Sequence, residues 1–347
     1  MESRELLLQK WVSEQLGYDL AQLQTVSGDA SFRRYFRAET GDADSAKTVI
    51  AVDSPPETEN NPDFIRIARC LVNNGFNAPN ILAVDEVRGF MLLSDLGDRL
   101  LLPELNARSV EQQYGIAMET LRALQSQLKP EALPLPLYDQ ARLMDEMALF
   151  SDWFVPRYLG YTLSGDQQGM MLKAYGKLAK SALSQPEVFV HRDYHARNIM
   201  LLEDNKQGLI DLQDAVWGPI TYDLVSLLRD CYVRWPREQT LAWASDYFNQ
   251  AQAAGLLDTT WTEAGFLQCF EWMGMQRHFK AVGIFSRLNY RDNKPVYLGD
   301  IPRTYSYLLE VSAAYEELAD LHGVLKDLAI LLMDKNPDAV ELLKPWV

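Results

Sequence analysis

Cysteine is scarce in this chain: Cys70, Cys231 and Cys269 are the three in 347 residues, far apart and with no CxxC pair. That excludes a disulfide framework and a cysteine zinc site, and it suits a reducing compartment. Basic charge is also short. Lys and Arg number 33 against 48 Asp and Glu, a formal net charge of −15. Recognition of a phosphate backbone needs clustered Lys and Arg, so no nucleic-acid partner is expected, and the surplus acid serves solubility. No uninterrupted apolar run approaches the roughly 18 residues that suggest a membrane span. The opening "MESRELLLQKWVSEQLG" interleaves charges with its leucines and has no cleavage site, so a signal peptide is not expected. A cytoplasmic location without a membrane partner follows as the expectation. Internal repeats and low-complexity tracts are missing too.

What is present is ordinary for a globular enzyme, with 48% hydrophobic and 23% charged residues. The length exceeds what a single core usually organises, so two lobes around one cleft are expected. Leu6, Leu7, Trp11, Val12 and Leu16 recur at helical spacing and Gly17 supplies a stop. The period then shortens, and "LQTVSG", "FRRYFRAET" and "KTVIAVDSP" read as strands. "NPDFIRIARCLVNNG" predicts a helix with Asn61 as N-cap, Pro62 in its first turn and Gly75 beyond its end. "NILAVDEV" and "FMLLSDLG" are two more strands joined at Arg88-Gly89. These elements make a small mixed β-sheet lobe over residues 1–97, and residues 98–347 read as mainly helical.

The helical signal breaks once, at "EVFVHRDYHARNIMLLEDNKQGLIDLQDA". "EVFVH", "NIMLLE" and "GLIDL" are strand-like, and "DNKQG" between the last two is turn chemistry, which predicts a hairpin. The polar stretch from His191 to Asn198 is then a loop presented from strands, where chemistry tends to sit. It spells H-R-D-x-x-x-x-N, the catalytic-loop pattern of kinases. In that pattern Asp193 accepts the proton of the attacking hydroxyl and Asn198 holds Mg²⁺. Asp211, at the end of the apolar "GLID", supplies a second oxygen ligand. Each residue alone could be a turn-former or cap; three at these spacings beside apolar strands point to phosphoryl transfer from ATP. His191 reads as a loop-bracing donor. His195 and Arg197 read as loop-bracing, phosphate-side or substrate-side residues rather than proton carriers.

Two features of that pattern are absent. The glycine-rich phosphate loop is missing, and Ser27 to Ser31 offers only Gly28, leaving backbone N–H groups and the Ser27 and Ser31 hydroxyls to meet phosphates. The third strand should carry a lysine, yet "IAVD" places Asp53 there, which would repel phosphates unless a metal or an arginine intervenes. Arg33 or Arg34 is the candidate substitute, with solvated strand arginines as the plain alternative. The adenine is expected against the connection at Ser94, Asp95 and Leu96.

After Asp211 the chain leaves no room for a polypeptide-binding segment, because "GPITYDLVSLLRD" begins within about a dozen residues. H-x-D-x-x-x-x-N, a lone metal Asp and G-P-x-x-x-D-L together resemble the aminoglycoside phosphotransferase-like kinases of small molecules. The resemblance implies a bilobal, protein-kinase-like α+β fold, and it implies that Asp223 braces the catalytic loop from a helix start, a position that favours a carboxylate. "GDASFRRYFR", "VDSPPE", "LLSDLGDRLL" and "AVGIFSRLNYRDNKPVYLGDIPR" extend the likeness, from Ser27 to Arg303, to the bacterial anomeric amino-sugar kinases of cell-wall recycling. Members of that group phosphorylate N-acetylmuramate and N-acetylglucosamine at the C1 hydroxyl, which implies an amino-sugar substrate with ATP and Mg²⁺.

For the sugar the sequence offers regions. Gln213 and Asp214 lie beside the metal Asp, Arg229 and Asp230 lie along the helix from Asp223, and the cluster Arg287 to Arg291 could meet a lactyl carboxylate. Each is equally readable as an ordinary surface pair. A kinase of an aminoglycoside, choline or an amino alcohol is the alternative on the same fold. A nucleotide-binding scaffold without catalysis is the alternative from another class, and oligomeric state is not legible.

Overall fold

The computed structural model describes residues 3–20, 22–26, 32–40 and 48–347. The chain forms two compact units: Met1–Glu104 with Arg197–Ala215, and Leu105–Ala196 with Val216–Val347. The sequence reads as two consecutive lobes divided at Gly97, whereas here a later segment returns to the first unit.

In the first unit α1 (Arg4–Leu16) ends at Gly17, whose φ of +79° lets its N–H reach Ser13 O at 2.9 Å. The strands β1 (Gln24–Thr25), β2 (Arg34–Glu39) and β3 (Thr48–Asp53) follow, then α2 (Asn61–Asn73), β4 (Ile81–Asp85), β5 (Phe90–Ser94) and the short α3 (Leu101–Glu104). The sheet runs β1-β2-β3-β5-β4, and every neighbouring pair is antiparallel rather than mixed. Leu8, Trp11 and Val12 of α1 bury against Phe36, Ala38, Val49, Ala51, Phe90 and Leu92, alternate positions that share one sheet face. By the same alternation Asp53 stands on the α1 side. The Arg88-Gly89 turn requires its glycine, since φ is +70° and a Cβ would lie 2.1 Å from Ser54 O. The cap of α2 falls one residue earlier than the sequence suggests. Asn60 accepts the Asp63 N–H at 3.3 Å, because the Asn61 side chain turns inward to donate to Ser54 O at 2.7 Å.

The second unit opens with α4 (Val110–Gln127) and α5 (Gln140–Leu149), which widens into a π-helical stretch over Phe150–Leu159. Next come α6 (Gly165–Leu183) and β6 (Glu187–Val190). The chain then crosses to the first unit for β7 (Ile199–Leu201) and β8 (Gln207–Leu209), the expected antiparallel hairpin. Leu209 N donates to Asn77 O at 2.8 Å and Leu201 N to Arg99 O at 2.7 Å, which ties the hairpin to that unit. Back in the second unit, β9 (Val216–Pro219) pairs antiparallel with β6, and α7 (Thr221–Leu228), α8 (Arg237–Ala253), α9 (Glu263–Asp292), α10 (Ile301–Ala314), α11 (Ala319–Lys335) and α12 (Ala339–Leu343) complete it. The long α9 is its axis, packed by α5, α6, α7, α8 and α10. At Gly283 the approach is closest, for a Cβ there would lie 2.4 Å from the Leu149 carbonyl carbon. Among the described residues no helix is long and apolar enough to cross a membrane.

Candidate active site

The loop after β6 is pinned by the side chains of Asp223, Asp230 and Tyr194. Asp223, in the first turn of α7, is fully buried, and its carboxylate accepts the backbone N–H of His191 at 2.6 Å and of Arg192 at 3.0 Å. Asp230 accepts Ala196 N–H at 3.2 Å and Tyr232 N–H at 3.0 Å, and Tyr194 donates its hydroxyl to Ala117 O at 2.7 Å. Between these anchors Asp193 is left partly exposed. Burial alone would raise its carboxyl, but the charges of Lys280, His195, Arg192 and Arg277 outweigh burial and bring it down to about 2. It is therefore a carboxylate at any working pH. Two of those cations share one buried acid: Glu146 of α5 pairs with Arg192 at 2.5 Å and with Lys280 at 3.3 Å. The second Glu146 oxygen takes the Tyr138 hydroxyl and the Gln276 amide. His195 is buried edge-on to Tyr232, and burial lowers its pKa from the usual histidine value.

In the first unit Asn198 donates its amide to Asp211 at 3.3 Å, and Ile210 N–H reaches Asn198 O at 3.1 Å across the hairpin. Asp211 adopts φ +66°, a left-handed conformation rare outside glycine. Gln213 then donates to the other Asp211 oxygen at 2.6 Å, which fixes the carboxylate. An amide oxygen beside one carboxylate fits Mg²⁺, which takes one or two protein oxygens and fills the rest with phosphate and water. It does not resemble a protein-only cage: among the described residues no three His, Cys, Asp or Glu converge.

The remaining expected residues divide. Ser27, Gly28 and Ser31 lie outside the described residues. Arg33 is 2% exposed, lies over the Phe64 ring, pairs with Glu59 at 3.3 Å and donates to Ser54 Oγ at 3.1 Å. Arg34 is committed to Asp53 at 2.5 Å, and Arg4 of α1 takes the other Asp53 oxygen at 2.5 Å. The acid in the lysine position is thus compensated twice on the α1 face, and both candidate substitutes already have carboxylate partners. The Asp95 side chain binds Arg37 at 2.5 Å, Thr48 at 2.6 Å and Gly97 N–H at 2.8 Å. Ser94 Oγ accepts Asn80 N–H at 2.8 Å, whereas the Leu96 main chain has no partner among the described residues.

Three sugar candidates have other partners. Arg229 is fully buried, paired with Glu271 at 2.8 Å and set over the Phe270 and Tyr307 rings, so it belongs to the core. Asp230 holds the loop, and the exposed Arg291 is bound to Asp292 at 2.8 Å. Gln213 supports Asp211, and Arg197 and Asp214 are exposed. Arg287 is half-buried and lines a cleft of about 590 Å³ in the second unit, with Glu146. Sequence reasoning missed Arg277, Lys280 and Glu146. The one available signal is spacing, since Arg277, Lys280, Arg287 and Arg291 recur on one face of α9.

A family model described as the phosphotransferase enzyme family matches residues 22–267. An N-acetylmuramate/N-acetylglucosamine kinase of Pseudomonas putida is 42% identical over 306 residues, 88% of this chain and 88% of that protein. A solved aminoglycoside phosphotransferase with ADP bound superposes at a TM-score of 0.56 and 13% identity, over 88% of this chain and 98% of that one. The choline kinase of Streptococcus pneumoniae gives 0.59 at 13% identity, over 90% and 99%. At such identities the likeness to the two structures is one of fold, and it is the kinase-like fold expected from the sequence.

Proposed function

The chain belongs to the phosphotransferase enzyme family, and from that premise we propose that it is an ATP-dependent kinase of N-acetylmuramate and N-acetylglucosamine, acting on the anomeric hydroxyl. The observation that carries the substrate is the 42% identity, over 88% of both chains, to a kinase named for those two sugars. What supports the reaction is Asp193, an ionised carboxylate on a loop pinned by Asp223 and Asp230.

In this reading Asp193 accepts a hydrogen bond from the C1 hydroxyl and aims its oxygen at the γ-phosphorus. A carboxylate held near 2 is a poor equilibrium base. Its proton is therefore taken late, once the C1 oxygen has begun to bond to phosphorus and become acidic. The new C1–O–P linkage forms as the β–γ bridging bond breaks, ADP departs with that bridging oxygen, and the proton on Asp193 returns to solvent. Asn198 and Asp211 would hold Mg²⁺, which supplies charge neutralisation on the phosphates. Gln213 keeps Asp211 aimed, and the unpartnered Leu96 main chain receives the adenine edge. Most of the acceleration is positioning and electrostatics, as phosphoryl transfer requires.

The test is ATP consumption across N-acetylglucosamine, N-acetylmuramate, aminoglycosides and choline. The two amino sugars are expected to drive it. Consumption with choline or an aminoglycoside alone would move the reading to the alternative substrate class, and nucleotide binding without turnover of any acceptor would leave a scaffold.

A further inference from the structure

We propose that Arg142 and Arg287 form a carboxylate-binding pair that favours acceptor sugars bearing an acid, an inference that rests on the amino-sugar reading above. Arg142 lies on α5 and Arg287 on α9, and both line the cleft of about 590 Å³, a volume suited to a small molecule. Several other arginines of this unit have carboxylate partners: Arg192 with Glu146, Arg229 and Arg237 with Glu271, Arg234 with Glu310. Among the described residues neither the Arg142 nor the Arg287 guanidinium has an ion pair or a hydrogen bond, and Arg142 Nη1 and Arg287 Nε are buried without one. A guanidinium left so is costly until an anion completes it.

The acids on the same cleft do not do so. Glu146 is held by Arg192 and Lys280, Asp139 caps α5 through Arg142 N–H, and Asp145 is exposed. Two uncompensated planar forks at one cleft match a carboxylate, which accepts paired N–H bonds from each. Glu146 also connects this cleft to the catalytic loop, because it binds Lys280 and Arg192, two of the cations that hold Asp193 ionised. Of the two sugars in the relative's name, N-acetylmuramate carries a lactyl carboxylate and N-acetylglucosamine has a hydroxyl there. The pair therefore sets the preference between them.

The experiment measures kcat/KM for both sugars with the unmodified protein, Arg142→Gln and Arg287→Gln. The ratio of muramate to glucosamine values is expected to fall about 10- to 100-fold in each variant, the effect of losing a charge-assisted hydrogen bond. On the unmodified protein the methyl ester of N-acetylmuramate is expected to lose a similar factor against the free acid, a readout that does not depend on a variant folding. An unmoved ratio together with an ester as good as the acid would overturn the pair while leaving the kinase reading intact. A rise in KM for ATP with the sugar ratio unchanged would assign the arginines to nucleotide phosphate instead, and also overturns it. Turnover of neither sugar by the unmodified protein overturns the amino-sugar reading, and this inference with it.

Discussion

Asp223 accepts the backbone N–H of Arg192 at 3.0 Å, and Arg192 sits at φ +75°, a conformation that a side chain of its size rarely adopts. The strain persists because the same carboxylate also takes His191 N–H, so two bonds to a buried acid over-determine the turn that presents Asp193. Asp223→Asn offers one oxygen and one NH₂ to two N–H donors, and one donor is left facing another. We expect kcat to fall by about 10- to 100-fold with KM for ATP little changed and the fold intact by circular dichroism. Near-normal kcat would remove Asp223 from the positioning role.

The pH profile separates Asp223 from its neighbours. Asp193 lies at about 2 and stays ionised through the working range, while burial lifts Asp223 to about 6, from 3.8. Between those last two values the folded chain binds a proton that the unfolded chain does not. Asp223 therefore lowers stability progressively as pH rises from about 4 to about 6, by on the order of 3 kcal/mol above that window. A protonated Asp223 has lost one acceptor for the loop, so kcat/KM should decline as pH falls through about 6. His195, whose pKa burial lowers, is the buried histidine of the same loop and the control for this profile. The decline is expected to survive in His195→Gln; its disappearance there would assign it to His195.

Asp193→Asn keeps the shape of the side chain and removes its charge and proton acceptance. Turnover should fall by orders of magnitude while nucleotide affinity, measured by equilibrium binding, stays within about threefold. Substantial turnover in this variant would sink the assignment of Asp193.

At the metal pair the carboxylate outranks the amide, because a carboxylate neutralises charge and an amide does not. Asp211→Ala should be the more severe in a Mg²⁺ titration, Asn198→Ala milder, and Gln213→Ala should shift the midpoint least, since Gln213 only orients Asp211. Chelation should stop turnover. Full activity of Asp211→Ala at ordinary Mg²⁺ concentrations would contradict this order.

How much of this was legible follows the range of the interactions. The Asp193, Asn198 and Asp211 pattern lies within a short stretch, so its spacing is readable, as are the turn of the β7–β8 hairpin and the glycine between β4 and β5. Asn60 displaced Asn61 as a cap because Asn61 turns inward to Ser54, seven residues back, which the capping pattern does not report. Arg229 looked available beside Asp230, but only the fold brings Glu271 and Glu310 to it. Lys280, Arg277 and Glu146 set the charge around Asp193 from helices far along the chain, beyond the reach of any motif. The return of β7 and β8 to the first unit rests on Asn77 and Arg99, more than a hundred residues upstream.

The most direct test of the account is the acceptor atom. A C1 kinase needs the anomeric hydroxyl free, since that oxygen is the nucleophile Asp193 must reach by a hydrogen bond. N-acetylglucosamine and N-acetylmuramate should consume ATP, and their methyl glycosides should not, even at high concentration. The product should be acid-labile and no longer a reducing sugar. Phosphate transfer to a methyl glycoside, or an acid-stable product that still reduces, would place the phosphate on another hydroxyl and contradict the account.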